Sequence, residues 1–492
     1  MAENWLAKLA SHFEATRERY PRDRLAILFN IDGTILDVRY AIQHVLLAYD
    51  RKHKTRYFSD LEISDISVHE RDVGALVRSL VPNEVEEENV LGWFREKFWA
   101  SSAVLETHRP FAGVLEVIRW FQLHPGVVVG LNTSRPESLR KETLLSLERL
   151  GREFKARFTS DLLYMNREGT PEGVIRQKIA GLEYFRAKGY RVFAVVDSEP
   201  AVLSAISRAD PRREILLLHA DTTFGSAGET LPPHVVTGRD YRLSELIPKD
   251  ALPRHIQFVW HGINDVENLQ NFLASDVQWG EVDVRLDPTC SELILRHDSF
   301  KKTPLAEGER WVTLEEALCE FRDAGKSVKL DLKAGGSVVT EALRLVDRCG
   351  FSDERLWFNG NVERVQREGF EKTRAAHPGA IQQCPVDFLA PLIHSTPDKA
   401  REILDMFTDW GINRFSLSWL RDDVRESFHR LTDWGFEVNI YNVPDLEGFL
   451  QAAVLLPRSI TSDFNFPKWR YFGRGSGENG VHHEYRSLPA GA

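Results

Sequence analysis

The chain has 492 residues, 42% apolar and 28% charged, with a formal net charge of −10. That balance excludes disordered and fibrous classes, and the length exceeds one ordinary core at roughly 100–200 residues per domain. No run of Lys and Arg makes a long basic face, which argues against nucleic acid and anionic bilayers as partners, and the cysteines (Cys290, Cys319, Cys349, Cys384) lack the CxxC pairs of a zinc site or the density of a disulfide scaffold.

From Trp5 to about Tyr20 the pattern is an amphipathic helix carrying charges throughout, unlike a signal peptide. No later window offers about 18 uncharged apolar residues for a membrane span. A cytoplasmic protein is therefore expected, with homo-oligomerisation left open. LAILFNIDGT (25–34) predicts a buried strand ending in a polar turn, and residues 38–108 read as charged helices. GVVVGLNTS (126–134) and RVFAVVDSE (191–199) predict two more strands, each followed by a helical segment, and EILLLHA (214–220) and HVVTG (234–238) add others. Strands alternating with helices predict a parallel, doubly wound α/β sheet. SELIPKDALPRH (244–255), with its prolines, predicts a linker.

Beyond it the alternation resumes with IQFVWHG, GEVDVRL, LILRHD, SVKLDLK, RLWFNGN, AIQQCPV, RFSLSW, EVNIYN and SITSD, enough strand for a (β/α)8 barrel with one candidate to spare. The tail, rich in glycine and polar groups, predicts disorder, with His482 and His483 solvated. The expected organisation is an N-terminal helix (1–22), a doubly wound domain (23–248) with a helical cap at about 38–108, a barrel (249–473) and a tail (474–492).

Alternate strand residues share a face, so Glu281 and Asp283 of GEVDV point the same way, as do Asp331 and Lys333 of KLDLK. Burying three carboxylates against a single lysine costs several kcal/mol unless a cation joins them. Oxygen ligands suit a hard ion, Mg²⁺ or Ca²⁺. His261 ends the first barrel strand and His297 follows the third candidate, so both are expected at the carboxyl-end mouth. Flanking a metal-bound phosphate, two imidazoles supply a nucleophile or base and an acid for the leaving oxygen, while Lys333 neutralises developing charge.

The order His261, then Glu281-Val282-Asp283, then His297 resembles the signature of glycerophosphodiester phosphodiesterases, in the phospholipase C-like phosphodiesterase superfamily. The sequence departs from that family's His-Arg by having Gly262. The segment His261-Gly262-Ile263-Asn264, the ExD pair and Asp331-Leu332-Lys333 are similar to the sphingomyelinase D group, and HGIN, EVDV, ILRHD, TLEEAL, KLDLK, LWFNGN and FSLSW to the menorin family. The resemblance implies Glu281, Asp283 and Asp331 as metal ligands, His261 and His297 as the catalytic pair and Lys333 as phosphate contact. Asn264 is part of the shared segment, and Asn359 and Trp419 are candidates for the substrate pocket.

FNIDGTILD resembles the first motif of the haloacid dehalogenase-like hydrolases over about residues 25–246. Thr133 fits the second motif, Lys178 the third and Asp197 the acidic fourth, but Asn30 stands where the nucleophilic aspartate belongs. An amide cannot form the acyl phosphate this chemistry needs, which leaves Asp32 without a nucleophile to assist. The resemblances together imply a metal-dependent phosphodiesterase of a glycerophosphodiester or lysophospholipid, joined to a catalytically impaired domain. Two alternatives stay open: a pseudoenzyme binding a phosphorylated ligand, and a bifunctional diesterase and monoesterase acting in series.

Overall fold

A computed structural model describes residues 4–167, 173–222, 230–247, 256–289, 291–304 and 311–462. The chain divides into two compact units, residues 1–248 and 249–492. His482, His483, Cys290 and most of the expected linker lie outside the described residues.

The first unit is built on six parallel strands, β1 (Arg24–Phe29), β2 (Val127–Pro136), β3 (Leu163–Asn166), β4 (Tyr190–Asp197), β5 (Leu216–Ala220) and β6 (Val236–Gly238). They lie in the order β3-β2-β1-β4-β5-β6. The near-continuous apolar runs of β1 and β4 follow from this position, since a central parallel strand is covered on both faces. The order reverses between β1 and β4, and in such sheets the ligand crevice opens outside the strand ends at that point. Asn30 and Asp197 sit there. Sequence patterning missed β3, a four-residue strand too short to show an alternation. The opening helix, Trp5–Arg19, packs into this unit: Phe13 meets Phe121 and Phe193, and the Trp5 indole donates to the Asp240 carbonyl at 2.9 Å. Helices Arg39–His53, Val73–Leu80, Glu84–Lys97 and Ser101–Thr107 form the insert between β1 and β2, with a core of its own around Ile42, Leu46, Phe58 and Phe94.

The second unit is a closed barrel of eight parallel strands, β7 (Gln257–Trp260), β8 (Trp279–Leu286), β10 (Ser327–Leu332), β11 (Leu356–Asn359), β12 (Ile381–Pro385), β13 (Arg414–Ser418), β14 (Glu437–Val443) and β15 (Ser459–Ser462). Pairing of β8 with β10, and of β15 with β7, closes the ring. The spare candidate is β9 (Leu293–Leu295): it runs antiparallel to the end of β8, with Val284 opposite Leu295, and is not a stave. The doubly wound sheet and the parallel barrel are the expected architecture.

Candidate active site

Barrel parity gathers the carboxylates at the carboxyl ends of β8 and β10. Asp283 lies beside Asp331 in register, and Glu281 beside Lys329. One oxygen from each of Glu281, Asp283 and Asp331 falls within 4.8 Å of the others. Glu281 and Asp283 are 2% and 1% exposed.

Each carboxylate is aimed by a neighbour. The Gly262 amide donates to Glu281 Oε2 at 2.8 Å. Asn264 uses both ends of its amide on Asp283: Nδ2 donates to Oδ2 at 2.5 Å, and Oδ1 accepts from the Asp283 backbone N–H at 3.0 Å. Asn359, ending β11, donates to Asp331 Oδ1 at 2.8 Å and accepts from Gln383 of β12 at 2.8 Å. Lys333 Nζ lies 2.6 Å from Asp283 Oδ1 and bonds Asp331 as well.

The expectation of a single lysine among the three carboxylates is corrected. KLDLK puts Lys329 on the same face as Asp331 and Lys333, and Lys329 is fully buried in register with Glu281. Its Nζ donates to Thr461 Oγ1 at 3.1 Å and lies 4.9 Å from the centre of the Trp357 ring. Three carboxyl groups therefore face two lysines, and burial favours the neutral form of both Glu281 and Lys329.

Burial, reinforced by Asp283, pushes the Glu281 carboxyl up to about 7. Burial acts in the same sense on Asp283, but Lys333, His297 and His261 outweigh it and hold that carboxyl below the ordinary range. For Lys333, burial favours the neutral amine, and Asp331 and Asp283 override it, raising its pKa.

His261 follows β7, with Nε2 at 3.8 Å from Glu281 Oε2. His297 follows β9 rather than a stave, so the hairpin arm carries it to the mouth. Arg285, two residues beyond Asp283, anchors that arm by donating to the His297 carbonyl at 2.7 and 3.0 Å, and the Arg296 N–H donates to the Asp283 carbonyl at 2.8 Å. The His297 ring is half exposed, with Nδ1 at 3.0 Å from Asp298 Oδ1. Trp419, after β13, bonds the Tyr441 carbonyl through its backbone N–H at 2.8 Å and carries Arg425 5.0 Å from its ring centre. Sequence reasoning missed Gln383, Arg285 and the Tyr441 hydroxyl, which donates to Asp387 at 2.8 Å; only Arg285 had a signal, its parity with Glu281 and Asp283.

In the first unit, Asn30, Lys178 and Asp197 converge. Lys178 Nζ donates to Asn30 Oδ1 at 2.9 Å, to Asp197 Oδ2 at 2.7 Å and to the Asn132 carbonyl at 2.8 Å. Asp32 is gripped by Arg135, with Nη2 to Oδ1 at 2.6 Å and Nε to Oδ2 at 2.7 Å. Thr133 Oγ1 accepts from the Arg135 backbone N–H at 3.2 Å. Arg135, absent from the expected site, is 2% exposed.

No protein-family model matches the chain, and no curated protein matches it in sequence. Solved structures similar to part of the chain include an Oleispira antarctica phosphodiesterase in complex with the product sn-glycerol-3-phosphate: 17% identity, covering 43% of this chain and 93% of that one, TM-score 0.34. A glycerophosphodiester phosphodiesterase from Agrobacterium tumefaciens is 14% identical, covering 42% and 96%, TM-score 0.30. A HAD-superfamily hydrolase of subfamily IA from Geobacter sulfurreducens is 13% identical, covering 50% and 100%, TM-score 0.30. Among the described residues, no helix is long and apolar enough to cross a membrane.

Proposed function

We propose that the barrel is a metal-dependent phosphodiester hydrolase acting on a glycerophosphodiester or a lysophospholipid head group. The observation that carries this reading is the group of three carboxylates within 4.8 Å at the barrel mouth, with Lys333 reaching two of them. Their all-oxygen chemistry fits a hard divalent cation, Mg²⁺ or Ca²⁺, held by Glu281, Asp283 and Asp331. Such an ion, when bound, supplies Lewis-acid polarisation of the phosphoryl group.

The chain's own residues do the rest. His261, against Glu281, takes the proton of the attacking water or of a neighbouring substrate hydroxyl, and His297 returns one to the leaving oxygen. Lys333 stabilises charge that grows on the phosphoryl oxygens. Asn264, Asn359 and Gln383 hold the carboxylates in place. Attack by water yields a phosphomonoester, and attack by a substrate hydroxyl a cyclic phosphate.

The full-length protein incubated with glycerophosphodiesters and lysophospholipids, with Mg²⁺ or Ca²⁺, tests the reading by ³¹P NMR of the products. Release that disappears in His261→Ala is expected, and the signal distinguishes a monoester from a cyclic product. A second reading, a phospho-ligand-binding protein without turnover, is favoured by Gly262, which supplies a backbone amide to Glu281 where the resembling family has an arginine. Saturable binding with no product would select it.

A further inference from the structure

A second cluster of buried charged side chains lies at the sheet reversal of the first unit, where a haloacid dehalogenase-like fold holds a divalent cation between aspartates. We infer that this site takes no divalent cation: Arg135 is its resident cation, and together with Asn30 it closes the site twice over.

The oxygens gathered at this reversal already accept hydrogen bonds, several of them from buried cations. Both carboxylate oxygens of Asp32 accept from the Arg135 guanidinium at 2.6 and 2.7 Å, a bidentate geometry that a fixed planar fork holds tightly. Asp197 accepts from Lys178 on Oδ2 at 2.7 Å and from the Glu199 backbone N–H on Oδ1 at 3.0 Å. The carbonyl of Asp32 accepts from Asn30 Nδ2 at 2.7 Å and from Ser198 Oγ at 3.2 Å. Two buried cations, Arg135 and Lys178, balance two buried carboxylates. A dication added to this balanced set would leave an uncompensated positive charge in a buried site.

Arg135 is also fixed from behind. Its Nη2 lies 2.9 Å from His108 Nε2, and its Nη1 donates to Thr143 Oγ1 at 3.3 Å. Arginine has no acceptor to offer, so Nε2 of His108 accepts and Nδ1 carries the proton, donated to Ser146 Oγ at 2.5 Å. Burial and Arg135 keep that imidazole neutral, its pKa pushed down to about 2. The Trp99 ring of the insert lies 5.6 Å from the guanidinium and, with Asp32, His108 and Arg135, lines one pocket.

The consequence is that restoring the nucleophile does not restore the site. Asn30→Asp returns one carboxylate and leaves Asp32 in the grip of Arg135.

Mn²⁺ titration of the full chain, read by the loss of free-ion EPR signal, tests this in a background carrying Glu281→Gln and Asp283→Asn to silence the barrel. No bound Mn²⁺ is expected there, and Asn30→Asp is expected to add neither bound Mn²⁺ nor hydrolysis of an aryl phosphomonoester. Asn30→Asp with Arg135→Ser is expected to gain one equivalent. Mn²⁺ held in the silenced background and lost on Asp197→Asn overturns the inference, as does phosphomonoester turnover by Asn30→Asp alone, or a folded double variant that binds none. The first arm decides even where the double variant does not fold. Wild-type protein titrated alongside reports the barrel, so an absence of metal there counts against the barrel reading alone.

Discussion

The backbone amide of Gly262 donates to Oε2 of Glu281 at 2.8 Å, and the glycine does so from the left-handed region, at φ 70°. A side chain at this position is strained by about 1–2 kcal/mol. Gly262→Arg, which restores the residue of the resembling family, is therefore expected to lower the thermal midpoint of the barrel and to lower kcat rather than raise it. A gain in diester turnover by this variant would show that the arginine, and not the amide, is what the site wants.

Asn359 stands between Gln383 and Asp331, accepting from one and donating to the other at 2.8 Å each. Residues that orient a metal-ligating group typically cost roughly 10–100-fold in affinity or activity when removed. Asn359→Leu should weaken Mg²⁺ or Ca²⁺ binding by that factor while costing about 1 kcal/mol of stability. Calorimetric titration of the metal beside a melting curve separates the two effects.

His297 and Asp283 are fixed to one another through Arg285 and the hairpin arm, yet the imidazole is 51% exposed. Replacing a half-exposed ring away from the core shifts stability by only about 0.5 kcal/mol, whereas loss of a general acid costs about 100-fold or more in turnover. His297→Ala is thus expected to melt like the wild type and to lose kcat with little change in KM, and a leaving group of low pKa should recover much of the rate.

Much of this was legible in the sequence because it rests on period-two parity. Glu281 with Asp283, and Asp331 with Lys333, share faces by alternation alone, and barrel closure brings the two strands into register. The same parity shows Lys329, once KLDLK is read from its first residue. β9 passed for a stave because apolar β-prone residues look alike in a parallel strand and in a hairpin arm; only pairing with Val284 distinguishes them. Arg135 stood in plain view in LNTSRP, but nothing local tells that it reaches Asp32, 103 positions earlier in the chain. Gln383 and Tyr441 are likewise placed by long-range pairing.

His108 gives the first unit a pH dependence of known sign. Its pKa falls from 6.5 to about 2 on folding, by burial and by Arg135. The unfolded chain then binds a proton that the native state refuses, so stability is full above about 6.5 and is lost as pH falls toward about 2, at up to about 1.4 kcal/mol per pH unit. Thermal midpoints of wild type and His108→Gln compared between about pH 4 and 7 should converge as pH falls, the wild type losing more. Parallel curves would mean that the imidazole is protonated in the fold.

The most direct test of the central claim is turnover of bis(p-nitrophenyl) phosphate by the full chain with EDTA, Mg²⁺ or Ca²⁺, for the wild type and for Asp283→Asn. Turnover that EDTA abolishes, that one of the two ions restores and that Asp283→Asn lacks while still folded is the predicted result. Turnover indifferent to EDTA, or retained in Asp283→Asn, would contradict a metal-dependent site at Glu281, Asp283 and Asp331.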